Sequence, residues 1–391
     1  MTPMELPMSS IRPLLAAIVA ALALTSTTRA DELAFVTLQS PANALAVYDV
    51  ATMTQSALIT GFGVEPSRMV ANSDRSRLYL VSRILASGPQ PAEMRVHIVS
   101  PAQRRILRTA VVGQATGRAI AISPDDARIY VWKLTTGPQS FGVAALDATT
   151  LDEIGFVPLP FSLCAPVARN LATAPDGRIV ASGCADGLRV IEPTTLVSTT
   201  LSLDADLLND LVGFAPGGQE VYVRRNGTSA SASNPQIAAI DLSTGVRNNL
   251  AFVLEPSAPA VFGVPVRLVE VRRPMDPPGN PTVFITYAPT TGGAPPIASA
   301  PSSELTTMNR RLTRVTSLGT PSATIMGVSE NGRVGVFGNQ RILRRVTFNP
   351  AAPGEPIATD GDSVEVAPSG SSPLQLSDIV IAQPLLEDGF E

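Results

Sequence analysis

Ser123-Pro124-Asp125-Asp126, followed by Arg128-Ile129-Tyr130-Val131-Trp132 and then by Val143-Ala144-Ala145-Leu146-Asp147, is the stretch that decides the fold. Its first four residues read as a tight turn, because proline presets φ at about −65° and the aspartates after it tolerate a sharp reversal. The two runs that follow are rich in β-branched and aromatic residues and read as strands. The turn recurs as Ser73-Asp74-Arg75-Ser76, Ala174-Pro175-Asp176-Gly177, Ala215-Pro216-Gly217-Gly218 and Ser329-Glu330-Asn331-Gly332, with a degenerate form at Pro278-Gly279-Asn280. Strands such as Arg77-Leu78-Tyr79-Leu80-Val81 and Glu220-Val221-Tyr222-Val223 come after it.

The run that ends in a polar residue recurs as well. It is found at Leu45–Asp49, Val96–Ser100, Val143–Asp147, Leu188–Glu192, Ile237–Asp241, Leu305–Asn309 and Leu343–Thr347. The polar ends of these seven runs lie 51, 47, 45, 49, 68 and 38 residues apart. Most intervals suit a four-stranded blade, whereas a β-sandwich has no reason to repeat one turn at this period and a helical solenoid would show 3.6-residue apolar stripes. The expected fold is therefore all-β, a seven-bladed β-propeller, with six or eight blades fitting the spacing less well. The long interval coincides with a Pro- and Gly-rich stretch at 274–301, read as extended loops inserted in one domain.

Leu33-Ala34-Phe35-Val36-Thr37, then Leu45-Ala46-Val47-Tyr48-Asp49, then Gly63 to Pro66, then Ser73-Asp74, resembles the YVTN-type (YncE-like) repeat of bacterial β-propellers. That resemblance implies a ring closed by pairing Leu33–Thr37 with a C-terminal strand, either Ser363–Val366 or Gln375–Ile381. Closure removes exposed sheet edges, which otherwise invite aggregation.

The chain begins with Arg12, an apolar run from Leu14 to Leu24, and a polar stretch ending Thr28-Arg29-Ala30. This reads as a secretory signal peptide over residues 1–30, cleaved after Ala30, because the apolar run falls short of the roughly 20 residues of a membrane span. The expected organisation is a signal peptide, a single propeller domain over 31–383, and a short acidic-aromatic tail over 384–391. Periplasmic or secreted localisation follows, with no transmembrane segment after cleavage. Without Glu5, Arg12 and Arg29, 27 basic and 32 acidic side chains remain, and Lys133 is the only lysine. That balance lacks the clustered basic excess of a nucleic-acid binder. A monomer is expected.

Export places Cys164 and Cys184 where disulfides persist. A hairpin around Ala174–Gly177 would return Cys184 to the level of Cys164, so a bond between them is expected, with two free thiols as the alternative.

Residues suited to catalysis are scarce. His97 is the only histidine and sits in an alternating strand, which argues against multi-histidine metal sites and favours a side chain bonded to a neighbour. No Gly-x-Ser-x-Gly elbow and no lysine-bearing phosphate loop is present. Asp74, Asp125, Asp126 and Asp176 lie in the repeated turns, and Asp49, Asp147 and Asp241 end the repeated strands. Repetition points to backbone capping rather than chemistry. Asp204, Asp206 and Asp210 form the one candidate calcium cluster, without the spacing of an EF-hand. Arginine pairs at 104–105, 224–225, 272–273, 310–311 and 344–345 could bind anions, or could simply occupy solvated strand faces; Trp132 could stack on a ligand or pack between blades.

From these residues the expectation is a non-enzymatic binding scaffold of the cell envelope, with no catalytic, cofactor or metal residues, presenting loops to a protein, glycan or small ligand. The alternative is a lactonase-like propeller hydrolase with an axial arginine and carboxylate site, drawn from Glu65, Arg118, Glu255 and Arg267.

Overall fold

In the computed structural model the described residues are 32–39, 41–84, 86, 92–114, 119–134, 141–160, 163–164, 170–204, 207–214, 218–225, 230–231 and 237–249. From there on they are 251–252, 261–262, 264–271, 282–288, 296–301, 311–312, 314–317, 325–329, 333–338, 342–348, 356–358, 363–366 and 376–382. Residues 1–30, expected as a signal peptide, and the expected tail at 384–391 lie outside them, as does the run Leu305–Asn309. Among the described residues every regular element is a strand, and no helix is long and apolar enough to cross a membrane.

The strands form antiparallel four-stranded units, lettered here in chain order. Unit A contains Leu33–Leu38, Ala44–Asp49 and Gln55–Ile59, with Leu376–Ala382 added beside Leu33–Leu38 as its first strand. Unit B runs Met69–Ala71, Leu78–Ile84, Glu93–Ser100, Arg105–Gln114; unit C runs Ile120–Ile122, Arg128–Leu134, Phe141–Asp147, Glu153–Pro158. The single pair Gln114↔Leu134 joins B and C into one larger sheet. Unit D runs Leu171–Thr173, Ile179–Cys184, Gly187–Ile191, Ser198–Leu201, and unit E runs Leu207–Phe214, Glu220–Arg225, Ile237–Asp241, Arg247–Asn249. Unit F is Val264–Val271, Thr282–Ala288, Pro296–Pro301 and Arg314–Ser317; unit G is Ile325–Val328, Val334–Gly338, Ile342–Phe348 and Pro356–Ala358. The first strand of each unit touches the first strands of the units before and after it, including G against A and A against B.

The inner strands of these units are covered by neighbouring units on both faces, which is why they are apolar throughout instead of alternating, whereas fourth strands such as Gln55–Ile59 and Arg105–Gln114 are largely exposed. Leu33 and Phe35 pack with Leu78 and Leu80 of unit B, while Ala34, Val36 and Leu38 pack with Ile325, Val336 and Leu343 of unit G. In unit C, Tyr130 and Trp132 face unit D, and Ile129 and Val131 face unit B. Trp132 thus serves in inter-unit packing, stacked on Phe141 with ring centroids 5.1 Å apart. Each large apolar side chain buried this way contributes roughly 1.5–3 kcal/mol.

Two turns repeat around the molecule. The turn between first and second strands places Arg75, Asp126, Gly177 and Gly218 in the left-handed region, and the turn between third and fourth strands does the same with Met53, Arg104, Leu151, Leu196 and Gly245. In the latter, an aspartate at the end of the third strand caps the reversal in units A, C and E. Asp147 Oδ1 accepts the Thr149 and Thr150 amides at 2.8 and 2.7 Å, and Asp241 Oδ1 accepts those of Ser243 and Thr244 at 2.9 and 2.8 Å. The Thr150 and Thr149 amides hold the Asp147 carboxyl below its ordinary range, and the Ser243 hydroxyl leads the groups that bring Asp241 down to about 2. Met53 and Leu151 use their left-handed position to bury a side chain, whereas Arg104 is exposed there with φ at 51°. Replacing Arg104 by glycine, the residue unit E carries at this position, is expected to stabilise the protein by about 0.5–1 kcal/mol, read as a higher urea midpoint.

Arginine joins neighbouring units. Arg128 Nη1 donates to the Pro193 carbonyl at 2.6 Å (C to D), Arg108 Nη1 to Thr149 at 3.3 Å (B to C), and Arg345 Nη1 to Val50 at 3.2 Å and also to Ala51 (G to A). Each guanidinium reaches carbonyls of the turn between third and fourth strands in the next unit. A planar, multi-donor head suits that task better than an ammonium, which gives the dominance of arginine over lysine a structural use.

One expectation is corrected, and one choice between alternatives is decided. The 274–301 stretch is not only loop: Thr282–Ala288 and Pro296–Pro301 are adjacent strands of unit F, paired from Thr282↔Pro301 to Thr286↔Ile297. The run of β-branched and aromatic residues in Thr282-Val283-Phe284-Ile285-Thr286-Tyr287 carries the strand, and the prolines punctuate its ends. Of the two closing strands considered, Leu376–Ala382 pairs with Leu33–Leu38, with Leu33↔Ala382 and Thr37↔Asp378, whereas Ser363–Glu365 pairs within unit G against Ile342–Phe348.

Candidate functional site

The segment Gly61-Phe62-Gly63-Val64-Glu65-Pro66-Ser67 carries the chain from the last strand of unit A to the first strand of unit B. Gly61, Gly63 and Glu65 all have positive φ, 99°, 85° and 50°. Glycine is required at 63, where a Cβ would stand 2.9 Å from the Arg83 carbonyl. A glutamate in the left-handed region is a local cost that the surroundings must hold in place.

They do so from three sides. Val64 and Arg83 exchange backbone hydrogen bonds of 2.7 and 2.9 Å, and the Ser67 amide donates to the Val81 carbonyl at 2.9 Å. The Glu65 amide donates to Asn43 Oδ1 at 3.1 Å, Asn43 itself being left-handed in the loop between two strands of unit A. Thr37 Oγ1 donates to the Ser67 carbonyl at 3.1 Å, while buried Asp378 accepts the Met69 amide at 2.9 Å. With the backbone so fixed, the Glu65 carboxylate forms an ion pair with Arg83 Nη2, both side chains about one quarter exposed. A carboxylate and a guanidinium, half-buried and reachable by solvent, are thus held together just before the first strand of unit B.

Of the other residues considered for an arginine and carboxylate site, Arg118 and Glu255 lie outside the described residues. Arg267 is in Val264–Val271, the first strand of unit F, opposite Thr286, and its side chain is not among those described. Arg83 and Asn43 were not singled out from sequence. The available signal was the pair of glycines flanking one aromatic residue, Gly61-Phe62-Gly63.

His97 is fully buried, with Nε2 2.7 Å from Ser82 Oγ, Nδ1 2.8 Å from Thr109 Oγ1, and the Phe62 ring edge-on with centroids 5.1 Å apart. Burial, reinforced by the Arg95 charge, lowers its pKa to about 4. Asp204 accepts from Arg247 at 3.4 Å; Asp206 lies outside the described residues and the Asp210 side chain is not described. Among the described residues no group of three or more His, Cys, Asp or Glu is placed to hold a metal ion.

Cys164 and Cys184 are bonded. Both are buried in the cluster between units C and D that includes Trp132, and the Ala185 amide donates to the Leu163 carbonyl at 2.6 Å. The bond ties the connector leading into Leu171–Thr173 to the end of Ile179–Cys184. Replacing both cysteines by alanine is expected to cost about 3 kcal/mol, the loop-closure entropy of some twenty residues, measured as a lower urea midpoint against the oxidised protein.

No family model matches the chain, and no curated protein matches it either. Solved structures do match. The chain is similar to the periplasmic gluconolactonase of Pseudomonas aeruginosa, with TM-score 0.55, 13% identity, and coverage of 90% of this chain and 99% of that one. A candidate 6-phosphogluconolactonase of Bacteroides uniformis matches with TM-score 0.57 and 14% identity over 90% and 100% of the two chains. Dihydro-heme d1 dehydrogenase NirN matches with TM-score 0.52 and 15% identity over 86% of this chain but 64% of that one. At these identities the likeness is one of fold, shared with several β-propeller proteins and not specific to the YVTN repeat.

These likenesses overturn the expectation of a non-enzymatic scaffold, because the architecture is one that enzymes use. The inference failed on a physical point: one histidine argues against histidine-based chemistry, but an arginine and a carboxylate brought together by tertiary structure need no histidine and leave no motif.

Proposed function

We propose that this chain is an exported seven-bladed β-propeller of the YVTN type that hydrolyses a small, sugar-derived lactone. The Glu65–Arg83 pair carries the reading. Units A to G supply seven four-stranded blades, and the contacts between successive first strands, G to A and A to B included, support closure of the ring. The leader-like residues 1–30 and the Cys164–Cys184 bond support placement in the periplasm or outside the cell, with cleavage after Ala30.

In this reading Glu65 takes a proton from a water molecule as its oxygen attacks the lactone carbonyl carbon. Arg83 donates to the carbonyl oxygen as negative charge develops there. The tetrahedral adduct then collapses with cleavage of the bond to the ring oxygen, which leaves as the hydroxyl of the acid product after taking up the proton. Water is the only co-reactant. The test is a pH-stat assay of the purified mature protein on D-glucono-1,5-lactone and a five-membered aldonolactone at pH 6.5. Acid release above the spontaneous rate is expected with at least one of them; spontaneous rates with both would overturn the proposal.

A further inference from the structure

A chain of hydrogen bonds runs inward from exposed Thr109 through buried His97 and Ser82 and ends on the segment carrying Glu65. Ser82 Oγ lies against both the Phe62 carbonyl and His97 Nε2, and His97 Nδ1 lies against Thr109 Oγ1. Hydrogen accounting orients it. A serine hydroxyl has one proton, and the Phe62 carbonyl can only accept, so Ser82 donates to Phe62. Ser82 Oγ must then accept from His97, which makes Nε2 the protonated nitrogen and Nδ1 the acceptor of the Thr109 hydroxyl proton. The direction runs Thr109 to His97 to Ser82 to Phe62.

Phe62 stands between Gly61 and Gly63, both left-handed, and two residues on Val64 pairs with Arg83, the neighbour of Ser82 in its strand. The Ser82–Phe62 contact therefore extends the Val64–Arg83 bridge by one further bond. Phe62 is also fully buried against the imidazole edge.

We infer that His97 is a positioning residue: as the Nε2–H tautomer it aims Ser82 at the Phe62 carbonyl and so latches the Gly61–Ser67 segment onto strand Leu78–Ile84, bringing Glu65 to Arg83. The latch stands on hydrogen bonding alone; its meaning for catalysis rests on the lactonase reading, and its test does not use activity. The groups facing His97 are Ser82, Thr109, Phe62 and, two residues along its own strand, Arg95, which is itself paired with Glu93 at 3.0 Å.

Two substitutions separate the ends of the imidazole. In His97→Gln the amide nitrogen can occupy the Nε2 position and still donate to Ser82. In His97→Asn the shorter amide reaches the Nδ1 side, toward Thr109, and leaves Ser82 without its donor. Amide hydrogen exchange in the mature protein at pH 7 is the readout. Protection of the Val64 and Arg83 amides is expected to fall about tenfold in His97→Asn, the loss of roughly one net hydrogen bond, and to stay within about threefold in His97→Gln. Protection at Val131, in the core of unit C, serves as the reference for global stability in both. Equal losses in the two variants, losses no larger than at Val131, or greater loss in His97→Gln would each overturn the latch. So would long-range ¹⁵N couplings that place the proton on Nδ1 in the unaltered protein.

Discussion

Replacing Glu65 by glutamine is expected to lower kcat/KM for lactone hydrolysis by roughly 10²–10⁴, the range a positioned general base supplies. Glutamine keeps the size and left-handed backbone of the position but cannot accept a proton from water, so the loss should fall on kcat with KM little changed. Arg83→Lys should reduce the rate as well, because an ammonium lacks the planar fork that can serve Glu65 and the carbonyl oxygen together. Folding controls matter, since Arg83 also lies in the bridge with Val64. Unchanged urea midpoints beside the lost rate would assign the effect to chemistry. A Glu65→Gln protein as fast as its parent would remove Glu65 from the mechanism, even if the protein is a lactonase.

Acidification from pH 7 to pH 4 is expected to cost the native state about 3 kcal/mol through His97 alone, from a fall in pKa from 6.5 to about 4. The sign follows from proton uptake. Between these two values the unfolded chain binds a proton at His97 that the folded chain, with its imidazole buried beside Arg95, does not. Stability is therefore complete above pH 6.5, is lost as pH falls toward 4, and loses nothing more from this group below that. His97 is the only histidine, so no other imidazole contributes in this window. The lowered carboxyls of the repeated turns, Asp74, Asp125, Asp147 and Asp241, act toward still lower pH. Urea midpoints at pH 7, 5.5 and 4.5 would show the trend, and His97→Gln, which cannot take up a proton, should flatten it. Parallel pH trends in the two proteins would show that His97 is not its source.

Much of the architecture was legible in the sequence because it is local and repeated. The Pro-Asp and Asp-Gly turns, the aspartate at the end of the third strand, and the apolar strands buried on both faces each follow from a few neighbouring residues, and each recurs at the same interval. The disulfide was legible for a related reason: two cysteines allow one pairing. Unit F was misread because its prolines and glycines resemble loop composition, while the pairing of Thr282–Ala288 with Pro296–Pro301 depends on neighbours distant in sequence. The role of arginine was missed for the same reason, since Arg345 finds its carbonyl acceptors at Val50 and Ala51, 295 and 294 residues away in the chain.

The sequence by itself determined the strand-and-turn period, the scarcity of histidine and the single possible disulfide, because propensity, hydrophobic pattern and counting act over a few residues at a time. Only the tertiary structure decided which strand pairs with Leu33–Leu38, that His97 lies between Ser82 and Thr109, and that Glu65 meets Arg83. Those are contacts between segments whose positions are set by packing of whole units, and no periodicity in the chain encodes them.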